Sequence, residues 1–180
     1  MSRTVLILSS SPRIGGNSDQ LCDSLASGVA SVGNKAIRLH VSKMKIAPCL
    51  ACEHCHDKSD GECVIKDDME QVWNAMKQAD SLVLASPIYF FDCSAQLKVV
   101  IDRTVARWLE VKNKELYYIV TMADECISSA DTTLACFRGY AECVEGAVEK
   151  GVIIGSGVCE AGTIRSTPAM AQAYEMGRKV

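Results

Sequence analysis

Short apolar runs and helical periodicities alternate from one end of this chain to the other, and that alternation restricts the fold more than any other feature. Thr4–Leu8, Leu82–Ala85, Leu116–Val120 and Val152–Ile154 are nearly unbroken apolar runs. Such runs suit strands covered on both faces, as in a parallel sheet. Ala36–Val41 alternates instead, with Ile37, Leu39 and Val41 apolar and Arg38 and His40 polar. It reads as an edge strand or one with a wet face. Between the strands, Leu21, Leu25, Val29 and Val32 recur at helical spacing, with Gly33 as a stop and Asn17 and Gln20 as a capping box. Asp67 and Glu70 open a helix carrying Val72, Trp73 and Met76. Ser94 is expected to cap a third, with Leu97, Val100, Ile101, Val105, Trp108 and Leu109 on its inner face. A fourth spans about Thr132–Gly146, and a fifth follows Pro168. Five strands alternating with five helices predict an α/β doubly wound domain, a five-stranded parallel sheet of order 2-1-3-4-5 with helices on both faces. At 180 residues this is one domain, 1–180.

Composition removes several functions. A formal charge of −3 leaves no basic surplus for nucleic acid or anionic lipid. No apolar run approaches the roughly 18 residues of a membrane helix. Val5–Leu8 is too short for a secretory signal, so a cytoplasmic location is expected.

Ligands of such sheets bind beyond the carboxyl ends of strands one and three. The first of those loops, Ser9–Ser18, holds four hydroxyls, Arg13, two glycines and Asn17, and it opens onto a helix. Glycines let the backbone turn N–H groups inward, and the helix start adds unpaired donors. Ser11, Asn17 and Ser18 are further donors, and Arg13 brings a charge. A phosphomonoester is the natural guest. The Walker lysine of nucleotide-triphosphate loops is missing. The second loop, Ser86–Ser94, contains Tyr89, Phe90 and Phe91, three of the chain's ten aromatics. It offers π faces and backbone groups to a flat heterocycle. A polar cap and an aromatic plug are the bland readings; side by side, the two loops point to a phosphorylated flat ring.

Three stretches carry a family resemblance: Ser9–Ser18 (S-x-S-P-R-x-x-G-N-[ST]), Pro48–Met69 (P-C-x-x-C-x-x-C…C-V-I-x-D-D-M) and Ser86–Arg103 (S-P-x-Y-F…S-A-Q-L-K…I-D-R). The chain resembles the flavodoxin-fold NAD(P)H-dependent FMN reductases, and more narrowly their iron–sulfur flavoprotein group. The resemblance implies a flavodoxin-like fold and FMN. It implies that Ser9, Ser11, Arg13, Asn17 and Ser18 surround the FMN phosphate, and that Pro87, Ile88, Tyr89 and Phe90 run along the isoalloxazine. Thr121, Met122 and Ala123 would flank the ring's other side. Ser10, Ala123 and Asp124 stand where relatives often have glycine. It further implies NAD(P)H as electron donor, a quinone, flavin or other small acceptor, and a homodimer or homotetramer.

Ten cysteines are unusual for a cytoplasmic chain. Cys49, Cys52, Cys55 and Cys63 fall in one loop at about 47–66. C-x2-C-x2-C spacing lets three thiolates reach corners of one cubane, with the fourth ligand farther on. Three occupancies stay open: [4Fe–4S], empty thiols, and zinc in a stabilised non-catalytic module. A [4Fe–4S] cluster beside FMN would make the chain an electron carrier fed by ferredoxin. His54 and His56 are expected to be exposed loop residues. Cys22, Cys93, Cys126, Cys136, Cys143 and Cys159 are expected to be small core residues. Asp67 and Asp68 are read as a helix cap, and Asp102 and Arg103 as surface or interface residues. Gly155-Ser156-Gly157 reads as a turn near the site. The chemistry belongs to the flavin, so no side chain is named as catalytic.

Overall fold

The structure, a computed structural model, describes residues 2–57 and 61–180; residues 58–60 of the expected cysteine loop lie outside that range. Its elements are β1 (Thr4–Ser9), α1 (Asn17–Ser31), β2 (Lys35–His40), α2 (His54–Asp57), α3 (Met69–Gln78), β3 (Ser81–Tyr89), β4 (Asp92–Cys93), α4 (Ala95–Arg103), β5 (Glu115–Thr121), α5 (Asp131–Cys143), β6 (Val148–Gly155) and α6 (Ala169–Arg178). The main sheet runs β2-β1-β3-β5-β6, all parallel. This is the expected 2-1-3-4-5 order. One strand was not foreseen: β3 folds back on itself through the two-residue antiparallel β4.

Strand side chains alternate between two cores, as a pleat requires. Leu6, Leu8, Leu82, Leu84, Leu116, Tyr118 and Val120 pack with α3, α4 and α5. Val5, Ile7, Val83, Ala85, Tyr117 and Ile119 pack with α1 and α6. The apolar runs are thus double-sided strands buried under helices on both faces.

Several local expectations change. Gly16, not Asn17, is the N-cap of α1, and no side chain caps it. Gln20 Nε2 instead donates to Gly15 O. α4 ends at Arg103 and the chain continues as a kinked 3-10 stretch, Thr104–Glu110. Val105, Trp108 and Leu109 therefore lie exposed rather than on a buried face. β2 is an edge strand, as expected, but its polar face is partly covered: Arg38 lies under α1 against Asp19 and Asp23. Of the six scattered cysteines only Cys22 and Cys93 are buried; Cys126, Cys143 and Cys159 are exposed.

Candidate cofactor site and cysteine loop

A cleft of about 190 Å³ opens at the carboxyl ends of β1, β3 and β5. Ser11, Arg13, Asn17, Ser18, Pro87, Ile88, Tyr89, Thr121, Met122 and Ala123 line it, together with Gly16, Val158, Cys159 and Ala161. Two sequence candidates stand elsewhere. Ser9 lies beneath the loop, its Oγ donating to Asp19 Oδ1 at 3.2 Å. Phe90 projects fully into solvent at the tip of the β3–β4 hairpin.

The β1–α1 loop is held from below. Asp19 Oδ2 accepts the Gly15 N–H at 2.7 Å, and Oδ1 binds Arg38. Ser10 uses the hydroxyl a glycine would lack: it donates to Ala85 O at 2.9 Å and meets Ser94 Oγ at 2.7 Å. This ties the phosphate-type loop to β3 and to the start of α4. Gly16 has no room for a side chain, because a Cβ there would lie 2.9 Å from Arg13 O. The first helical bond of α1 runs from Gln20 N–H to Gly16 O, so the N–H groups of Asn17, Ser18 and Asp19 precede it. They form the anion-favouring end of a fifteen-residue helix. Ser18 Oγ and Thr121 Oγ1 lie 2.6 Å apart. One hydroxyl donates to the other, which leaves one proton free for a guest. These donors fit a phosphomonoester.

Asn17 lines the cleft, but its amide serves the far loop. Nδ2 donates to Val158 O and Glu160 O at 3.0 Å each, and Oδ1 accepts Gly162 N–H at 2.9 Å and Ile164 N–H at 3.3 Å. The loop after β6 is also bound to the loop after β5, through Val158 N–H to Met122 O at 2.9 Å. Sequence reasoning foresaw a turn at Gly155–Gly157 but not the lining by Val158, Cys159 and Ala161. Asp124 organises its own turn, accepting from Cys126 N–H and Ser129 Oγ at 3.0 and 2.6 Å.

The cysteine loop forms a second site. Cys49, Cys52, Cys55 and Cys63 all line one small cavity of about 60 Å³, with His54, His56, Val64, Ile65 and Arg103. Ala51 and Glu53 take φ of 50° and 56°, a left-handed course that turns the chain around the thiols. Ala51 N–H points to Cys49 Sγ at 3.4 Å. Partial burial and the neighbouring thiols Cys63, Cys49 and Cys52 push the Cys55 thiol up. No three of the four sulfurs lie within 4.8 Å of one another. Zinc at a Zn–S distance of ~2.3 Å would need them about 3.8 Å apart. In a cubane each of the four iron corners takes one thiolate, so its ligands stand farther apart than around one zinc ion, and four thiols around one cavity fit such a cluster.

Arg103 overturns its surface assignment. It is 1% exposed and lines the thiol cavity. Its guanidinium donates to Asp67 Oδ2 at 2.8 Å, Asp67 Oδ1 at 3.2 Å, Ala47 O at 2.7 Å and Cys63 Sγ at 3.6 Å. It also lies 5.6 Å from the Trp73 ring centroid. Asp67 does more than cap. It accepts the N–H groups of Ala47 and Met69 at 2.9 and 3.0 Å while holding Arg103. Burial raises the Asp67 carboxyl, but the bonds from Arg103, Ala47 and Met69 outweigh that and hold it below its ordinary value. Both ends of the cysteine loop therefore hang on one buried ion pair.

A family model described as NADPH-dependent FMN reductase matches residues 3–135. The chain belongs to that family of oxidoreductases. Among curated relatives, an iron–sulfur flavoprotein of Methanocaldococcus jannaschii is 36% identical over 100 residues, 56% of this chain and 51% of that protein. An iron–sulfur flavoprotein of Methanosarcina thermophila is 35% identical over 98 residues, 54% of this chain and 50% of that one. The chain spans about half the length of these relatives. In fold it is similar to an NAD(P)H:quinone oxidoreductase from Methanothermobacter marburgensis, with TM-score 0.79 and 17% identity, covering 99% of this chain and 97% of that one. An azoreductase from Bacillus anthracis superposes with TM-score 0.79 at 14% identity over the full length of both chains. These likenesses establish the flavodoxin-like fold. No helix among the described residues is long and apolar enough to cross a membrane.

Proposed function

We propose that this chain is an FMN-dependent oxidoreductase that passes electrons from NAD(P)H or a reduced carrier to a small acceptor such as a quinone or flavin. The observation that carries this reading is the single cleft that joins the donor-rich start of α1 to the Pro87–Tyr89 segment of β3. Ser11, Arg13, Ser18 and the first amides of α1 hold the phosphate. Pro87, Ile88 and Tyr89 run along one side of the ring, and Thr121, Met122 and Ala123 along the other. Asn17 acts as a positioning residue by fixing the Val158–Ile164 loop that closes the cleft. Phe90, although outside the cleft lining, stands on the hairpin tip where it would cover a ring entering from solvent. Bound FMN would supply hydride and single-electron chemistry. The chain's own part is to orient the ring and keep one side open: Tyr89 is 47% exposed and closes little. A ring so open to water favours a homodimer or homotetramer whose second copy covers it.

The four thiols favour a second component. Their shared cavity, the Ala51 N–H aimed at sulfur and the Arg103 cation against Cys63 suit a [4Fe–4S] cluster, and the matching relatives are named iron–sulfur flavoproteins. With a cluster bound, the chain would act as a carrier between ferredoxin and a two-electron acceptor. Exposed thiols at Cys49 and Cys52 suit the reducing cytoplasm. Anaerobic purification with a visible spectrum and FMN, iron, sulfide and zinc analysis tests both parts. One FMN with about four irons and four sulfides per chain is expected. Zinc without flavin would overturn the reading.

A further inference from the structure

A second group of metal-ligating side chains lies outside the linings of both sites. β4 carries Asp92 and Cys93, and α5 carries Cys136. One carboxylate oxygen and the two Sγ atoms lie within 4.8 Å of one another, and among the described residues no other such group of three is formed. Cys93 is buried, while Asp92 and Cys136 are half-buried. The backbone fixes the trio. Ile88 pairs with Cys93 and Tyr89 with Asp92 across the hairpin. Asp92 Oδ1 accepts the Cys93 N–H at 2.7 Å, which orients the carboxylate, and the Cys93 thiol hydrogen-bonds to the side chains of Asp92 and Cys136, so the three groups already converge. Thr133 Oγ1 donates to Phe91 O at 3.2 Å and holds α5 against the hairpin.

We propose that Asp92, Cys93 and Cys136 form a binding site for one thiophilic divalent cation, zinc by ligand type, with water in the fourth position. Two sulfurs and one carboxylate oxygen are a zinc set and a poor one for magnesium or calcium, which prefer oxygen alone. Tetrahedral zinc needs thiolates about 3.8 Å apart, so closing from within 4.8 Å asks for movements of about an ångström or less. The protons balance. Binding releases both thiol protons: Zn²⁺ plus two SH and one carboxylate give a complex of charge −1 and two H⁺. Lys98, paired with Asp102 at 2.7 Å, stands near both thiols, so the complex keeps its charge of −1 beside a neutral ion pair. The ion would join the hairpin base to α5. That hairpin carries Tyr89 into the cofactor cleft and Phe90 and Phe91 at φ of 50° and 65°, so the site sits where it can hold a strained aromatic turn in place.

The test is an anaerobic Co²⁺ titration of full-length chain in which Cys52→Ser and Cys55→Ser disable the cysteine loop. One equivalent is expected, with thiolate-to-cobalt absorption, two protons released and displacement by Zn²⁺. Adding Cys136→Ser should weaken binding about 100-fold, and Asp92→Asn at least about tenfold. Binding unchanged by both substitutions would overturn the proposal, as would no binding by the folded chain. A Cys93–Cys136 disulfide in anaerobically purified protein would overturn it too. Should the loop variant not fold, zinc bound by wild type and by Cys136→Ser is compared instead: a difference of one equivalent supports the site, and no difference overturns it.

Discussion

Arg103 shows how much one buried cation can organise. It joins Ala47 at the start of the cysteine loop to Cys63 and Ile65 near its end, and Asp67 fastens it from the side. Arg103→Met would leave Asp67 half-desolvated without its partner and should destabilise the chain by roughly 3 kcal/mol in urea melts. Lys98→Ala, which breaks the exposed pair with Asp102, should cost less than about 1 kcal/mol. The pH dependence follows from Asp67. Its folded carboxyl lies below the unfolded value, so its contribution is present above the ordinary carboxylate range and is lost as pH falls through the depressed value. Asp67→Asn should remove that acid-side loss from a stability–pH series. Arg103 was misread in the sequence because a charged residue at the end of a helix is normally solvated. Its partner lies 36 positions away, and nothing in the local pattern points to it. Arg38 was misread for the same reason: the alternation of β2 locates its face correctly but does not reveal Asp19 above it.

At the scale of elements, α1 and α6 pack backbone to backbone. A Cβ on Gly28 would lie 2.1 Å from Tyr174 O, and one on Gly177 would lie 2.1 Å from Leu25 O. Gly177→Ala must therefore push the helices apart, and a loss of about 3 kcal/mol is expected in thermal or chemical unfolding. Gly139 on α5 meets nothing within 4 Å, so Gly139→Ala should be neutral or slightly stabilising in the same assay. The helices themselves were legible from apolar spacing, and their order was legible from the alternation with strands. The close approach was not, because a glycine inside a helix looks the same in sequence whether it faces water or another backbone. The capping box failed for a different reason. Asn17 has partners in the Val158–Ile164 loop that only the tertiary fold supplies, and they take its whole amide. Asn17→Ala should release that loop and weaken FMN binding about tenfold in fluorescence titrations, since a loop-closing hydrogen-bond set worth roughly one to two kcal/mol is lost.

For the whole molecule, the sheet order places the carboxyl ends of β1 and β3 side by side, and this is what turns two separate sequence motifs into one cleft. The two-faced cores follow from the same topology, since each buried strand residue has a helix on its side. That much was readable from periodicity. The loop after β6 escaped because its lining residues, Val158, Cys159 and Ala161, carry no chemical signature of a site. In the proposed function the start of α1 recognises a phosphate ester beside a flat-ring shelf. That recognition is tested most directly by titrating flavin-free protein with FMN and with riboflavin, which differ only in that phosphate. Several charge-assisted bonds to the phosphate predict FMN binding tighter by on the order of 100-fold, a gap narrowed at high salt and by Arg13→Ala. Equal affinities for the two flavins, or no binding of either by correctly folded chain, would contradict the account.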